Sequence, residues 1–157
     1  MVRAIDVAAL KFDVLRSATE WEAAPASRDI VEAQKAILDA QHLVFVFPLW
    51  LGALPALLKA FLEQVLRPGL AFDVSKGPFR GRLKGRSSRV IVTMGMPAWI
   101  YRWWFGARAV KSFEQGILRF VGIKPNRLTL IGSLGSDSEY TRKAWLAEIA
   151  RLGRAGR

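Results

Sequence analysis

Two short stretches carry most of the chemistry this sequence could perform. Pro48-Leu49-Trp50-Leu51-Gly52 and Thr93-Met94-Gly95-Met96-Pro97 each follow a run of apolar, β-favouring residues. Each would set a flat apolar or aromatic surface beside backbone N–H groups. That suits a planar heteroaromatic ligand, whose rings stack on Trp and Leu while amides bond its edge. For any single apolar residue, burial in a core or a subunit interface is the commoner role. Position adds weight here, because ligands of an open parallel sheet bind beyond the carboxyl ends of its strands, near the point where strand order reverses.

Composition removes other chemistries. The 157 residues contain no Cys and one His, His42. Disulfide scaffolds, thiolate metal sites, paired-His zinc sites and Ser-His relays that need a spare imidazole are thereby excluded, and no metal site is expected. His42, just ahead of an apolar run, is expected to contact a helix end rather than to act as a base. Lys and Arg number 24 against 13 Asp and Glu, a formal charge of +11. Ten of those cations fall between Arg67 and Lys111, with only Asp73 to oppose them. Such a run attracts phosphates, nucleic acid or anionic lipid, although its ordinary role is a solvated loop. No nucleic-acid motif surrounds it, so nucleic acid is not the expected partner. The N-terminus lacks the pattern of a secretory signal, and with the absence of Cys this points to the cytoplasm.

The elements that must position the two loops follow from periodicity. A chain of this length forms a single domain, residues 1–157, and can bury ~70% of its unfolded surface. Val2–Val7 reads as a short strand and residues 10–26 as an irregular loop. Asp29 with Glu32 resembles a capping box, after which Ile30, Ala33, Ile37 and Ala40 keep one helical face apolar. His42–Pro48 is continuously apolar and predicts a strand buried on both faces. Residues 40–58 carry no formal charge, approaching the ~20 residues a membrane helix needs. Pro48, Gly52 and Pro55 divide that stretch into strand, turn and helix, so no transmembrane span is predicted.

Leu54, Leu57, Leu58, Phe61, Leu62 and Val65 follow helical spacing, with Pro55 in the first turn and Arg67-Pro68-Gly69 as the stop. Residues 68–88, with four Gly and two Pro, read as a long surface excursion. Residues 89–95 form the next buried-strand pattern, and residues 97–106 fit no period. Val110, Phe113, Ile117 and Phe120 mark a helix ending at Gly122, and residues 127–132 a further strand. Ser136 with Glu139 makes a second capping box, opening a helix on which Trp145, Ile149 and Leu152 share a face. Strand and helix alternate throughout, which predicts an α/β fold: a parallel sheet with helices on both faces, joined by right-handed crossovers.

The stretches FPLWLGALPALLKAFLEQVL, VTMGMPAWIY and FEQGILRFVGI resemble the flavodoxin-like NAD(P)H dehydrogenase (quinone) family, the quinone reductases. The likeness extends over essentially the whole chain. It implies a flavodoxin-like fold and a flavin, FAD or FMN, that takes a hydride from NAD(P)H and passes two electrons to a quinone or similar acceptor. Pro48, Leu49, Trp50 and Leu51 fall where the family lays its flavin ring, and Thr93, Met94, Gly95 and Met96 on its Thr-Thr-Gly-Gly-like loop. Tyr101 falls on the family's active-site tyrosine. Ala107 stands where the family commonly has a His, so a Tyr-His proton relay is not implied, and Arg102 or Arg108 would supply positive charge to the reduced ring. The aromatic segment 99–105 would form a lid, and Arg80, Arg82 or Lys84 would favour NADPH. The resemblance also implies a homodimer. The chain begins at what resembles the family's second strand, so the first strand, phosphate loop and first helix are expected to be missing from the sheet.

Two other readings compete. Residues 76–89 with the aromatic segment 99–105 would make a basic binding module for nucleic acid or a membrane surface, peripheral membrane contact being its mildest form. Alternatively, the chain is an inactive, truncated relative of the family.

Overall fold

The computed structural model describes residues 2–73, 80–135 and 138–156. Among these, short helix α1 (Ala18–Glu22) and helix α2 (Arg28–Asp39) precede strand β1 (His42–Pro48), and helix α3 (Ala56–Val65) follows it. Two short strands, β2 (Phe72–Asp73) and β3 (Arg80–Gly81), pair in antiparallel fashion. Then come strand β4 (Ser87–Thr93), helices α4 (Ala98–Trp103) and α5 (Arg108–Ser112), a π-helical segment over Phe113–Arg119, strand β5 (Asn126–Ile131) and helix α6 (Glu139–Arg154). The three long strands form one parallel sheet in the order β1-β4-β5.

β4 is the centre of this sheet, and its five middle residues are all buried. Side chains at paired register positions share a face. One face therefore presents Leu43, Phe45 and Phe47 of β1 with Val90 and Val92 of β4. Phe113 closes over it, its ring edge-on to Phe45 at 5.2 Å and to Phe47 at 5.8 Å. Ile30 and Ile37 of α2, and Phe61, Leu62 and Val65 of α3, complete the core on this side. The other face carries Val44, Val46, Arg89, Ile91, Arg127 and Thr129. Here α6 contributes only a half-buried stripe of Trp145, Ile149 and Leu152.

Several expectations are corrected. Among the described residues β1 pairs only with β4, and Val44 and Val46 are 54% and 65% exposed, so β1 is buried on one face rather than two. Residues 2–7 do not form a strand. The Asp6 carboxylate accepts a hydrogen bond from the Ala8 N–H at 3.0 Å and caps a 3-10 turn over Val7–Ala9, while Ile5 and Val7 lie against the core. An isolated strand there would leave its backbone groups unpaired. Ser27, not Asp29, caps α2, and Asp29 instead accepts from the Lys11 N–H at 2.8 Å, tying down the incoming chain. Residues 10–26 contain α1, capped by Ser17.

Further along, Pro55 is the N-cap of α3, and Leu57 is exposed. The 68–88 excursion reaches the core through Ala71, Phe72 and Leu83. The unpatterned 97–106 stretch contains α4, whose short length hides its period. Ser136 lies outside the described residues, and Ser138 caps α6, accepting from the Thr141 N–H at 3.2 Å. His42 contacts no helix end; its Nδ1 meets Ser87 Oγ at 2.7 Å across β1 and β4, and burial, with Arg89 and Arg127 nearby, lowers its pKa.

Candidate functional site

The register places Pro48, Thr93 and Ile131 side by side at the carboxyl ends of the three strands. The loops that leave these residues are joined by backbone hydrogen bonds. Leu49 N–H donates to Thr93 O at 2.7 Å, and Met94 N–H to Ile131 O at 2.9 Å. Leu134 N–H donates to Met94 O at 3.1 Å and Ser133 N–H to Met96 O at 3.0 Å. The structure thus brings the Pro48–Leu51 and Thr93–Met96 segments together as one wall at one end of the sheet.

Local geometry shapes that wall. Trp50 and Ala53 exchange both backbone hydrogen bonds, at 3.1 and 2.9 Å, around a turn whose central residues Leu51 and Gly52 both have positive φ, 48° and 73°. Gly adopts this conformation freely, whereas Leu51 is strained in it, a feature that concentrates at functional sites. The turn raises Trp50 to 63% exposure. The backbone N–H groups of Leu51, Gly52, Gly95 and Met96 donate to no acceptor among the described residues. Met94 turns inward and is buried, so its side chain supports the wall rather than facing a ligand.

Tyr101 sits on α4 with 2% of its surface exposed, inside the core. Its hydroxyl is buried without a hydrogen-bond partner among the described residues. Burial pushes the phenol pKa up, with the backbone at Val110 opposing the shift, so the hydroxyl keeps its proton at neutral pH. A buried, unsatisfied hydroxyl costs stability and is the kind of group that a ligand or water satisfies. Ala107 is buried in a left-handed conformation, φ 49°, at the start of α5. Arg102 and Arg108 are both exposed.

Gly132 escaped the sequence reading as a site residue. A Cβ there would lie 2.2 Å from Ala98 N, 2.7 Å from Met96 O and 2.9 Å from Pro97 C. This glycine lets the end of β5 touch the backbone that follows β4, which holds the Thr93–Met96 loop in place. A Gly directly after a buried-strand run is the signal that could have found it.

A three-stranded parallel sheet flanked by helices, with two loops hydrogen-bonded to one another beyond its carboxyl ends, is that of an open-sheet α/β domain. A family profile described as having a flavodoxin-like fold matches residues 1–152, and the chain belongs to that family. It is 32% identical over 127 residues to mouse ribosyldihydronicotinamide dehydrogenase [quinone], a match covering 78% of this chain and 55% of the mouse protein. It is 28% identical over 87 residues to the FMN-dependent NADH:quinone oxidoreductase of Beijerinckia indica subsp. indica, covering 55% of this chain and 43% of that protein. The chain thus spans about half the length of these relatives. Among solved structures it resembles Smu.1420 from Streptococcus mutans UA159, with a TM-score of 0.75 and 26% identity over 96% of this chain and 77% of that one. No helix among the described residues is long and apolar enough to cross a membrane.

Proposed function

We propose that this chain is a flavin-binding oxidoreductase domain that moves electrons from NAD(P)H to a quinone-like acceptor. The observation that carries the reading is the wall at the strand ends: exposed Trp50 beside the unpaired N–H groups of Gly95 and Met96, on loops fixed to one another by backbone bonds. That combination fits a tricyclic ring with a polar edge, and a relative named as FMN-dependent makes a flavin the ring to test, FMN first and FAD beside it. A bound flavin would supply the two-electron chemistry.

The residues' own roles follow. Pro48, Leu49, Trp50 and Leu51 would cover one side of the ring and exclude water. The N–H groups of Gly95 and Met96 would hold its polar edge, with no reorganisation needed at the moment of reaction. The resemblance gives Tyr101 the proton-holding role, but with its hydroxyl buried in the core it would serve here by supporting α4 behind the wall rather than by donating to the ring. The reading includes a homodimer, for which the exposed Trp104 and Phe105 offer apolar surface, and a cytoplasmic location, in keeping with the absence of Cys.

The test is the visible spectrum of the purified chain after incubation with FMN or FAD and removal of free flavin. Yellow protein that NADH or NADPH bleaches and a quinone re-colours is expected. Trp50→Ala should weaken retention about tenfold through loss of stacking. Colourless protein, or equal retention by Trp50→Ala, overturns the assignment. Light-scattering mass reports the dimer separately.

A further inference from the structure

Away from the wall, a cleft of about 760 Å³ opens between α4, α5 and β5. Trp99, Arg102 and Trp103 line one side at the i, i+3, i+4 positions of α4. Lys111 stands opposite, and Leu128 and Leu130 of β5 make the floor. The volume lies within the range of small-molecule sites, roughly 300–1,000 Å³. None of the residues that build the flavin wall lines it, and Tyr101 is buried in the core instead.

Its chemistry is unusual for a solvated surface. Trp103 is 82% exposed, and Leu128 is exposed on a strand, so the cleft leaves aromatic and aliphatic surface in water. Neither Arg102 nor Lys111 forms an ion pair with an acidic group among the described residues. The one carboxylate in the lining, Glu114, is engaged by Arg119 at 2.8 Å. Two cations that form no ion pair among the described residues therefore line the same open, aromatic cleft.

We propose that this cleft is a second ligand site, taking a planar aromatic anion of one or two rings that bears a carboxylate. The ring would lie between the indoles of Trp99 and Trp103 above the leucine floor, and the carboxylate would bridge Arg102 and Lys111. Arg suits such a group because its planar fork matches carboxylate geometry and stacks on aromatic faces. The cleft shares no residue with the Pro48–Leu51 and Thr93–Met96 wall, but Arg102, Ala107 and the 99–105 segment are ones that the resemblance sets near the flavin, so the test below includes FMN.

The probe is 2-naphthoate, with its neutral isostere naphthalene-2-methanol as the comparison, titrated by calorimetry against the full chain with and without FMN. Saturable one-to-one binding is expected, with the carboxylate favoured over the alcohol by about tenfold. Arg102→Gln with Lys111→Gln should abolish that preference, whereas Trp103→Ala should weaken both probes alike. All three side chains are exposed, so the variants should keep the fold. Absence of saturable binding, equal affinity for acid and alcohol, or an undiminished preference in the double variant would overturn the proposal. So would displacement of naphthoate by FMN, which would make the cleft part of the flavin site. Retained naphthoate binding in a chain that fails to hold flavin would separate this proposal from the previous one.

Discussion

Gly132→Ala is expected to be among the more damaging single-methyl additions in this protein. The added carbon would sit 2.2 Å from Ala98 N and 2.7 Å from Met96 O, where ordinary contact needs roughly 3.5 Å. Both neighbours are backbone, so no flexible side-chain end can yield. Overpacking of this kind costs about 1–3 kcal/mol. Moving the loop would also stretch the bonds from Ser133 N–H to Met96 O and from Leu134 N–H to Met94 O, about 1 kcal/mol each. A total near ~4 kcal/mol is a large part of a domain's ~5–15 kcal/mol. It corresponds to a fall in Tm of about 10 °C for a chain of this size. Urea and thermal unfolding give the comparison, with Gly153→Ala as control. Nothing lies within 4 Å of a Cβ at Gly153 in α6, so helix propensity should raise stability there by about 0.5 kcal/mol. If Gly132→Ala matched the parent, the close approach that positions the Thr93–Met96 loop would be refuted.

Burial and charge dictate the outcomes of three further variants. Because the His42 pKa is lowered in the fold, the unfolded chain takes up a proton first as pH falls below the ordinary 6.5. His42 therefore costs stability only on the acid side, and His42→Asn should flatten the decline in urea midpoint between about pH 7.5 and pH 5. Tyr101→Phe removes a buried hydroxyl that lacks a hydrogen-bond partner among the described residues, so stability at neutral pH should hold or rise slightly, with flavin retention and quinone-dependent turnover unchanged. The same variant should lose the parent's alkaline destabilisation, since only the unfolded tyrosine ionises freely near 10.0. Val44→Thr with Val46→Thr should leave unfolding within about 0.5 kcal/mol of the parent, whereas a strand buried on both faces would lose several times that.

The legible part of this fold is the part that is buried. β4 and the helix pattern from Phe61 to Val65 stood out because a core imposes period and composition on every residue it encloses. The same reasoning overreached at β1. Leu-Val-Phe-Val-Phe reads as a strand enclosed on both sides, yet sequence cannot reveal whether anything packs on Val44 and Val46. Residues 2–7 failed for a related reason: β propensity reports a suitable surface, and without a pairing neighbour the Asp6 cap prevails. In the candidate site, the two loops were visible as breaks after apolar runs. The tertiary touch of Gly132 on Ala98, the exposed face of α4 and the burial of Tyr101 depend on contacts between distant segments, which no local pattern encodes.

The same distribution of contacts explains why the wall at the strand ends can be well formed beside an open sheet edge. Its hydrogen bonds run from β1 to β4 and from β4 to β5, so β4, buried throughout, sets the relative position of all three loops. Among the described residues no strand pairs with the outer edge of β1, and Val44 and Val46 lie on the sheet face opposite Phe45 and Phe47. Solvent there removes burial from Val44 and Val46 but breaks none of the bonds that join Leu49, Thr93, Met94 and Ile131. The geometry that would hold a ring is thus fixed by the three strands present, independently of whatever neighbours the outer edge of β1.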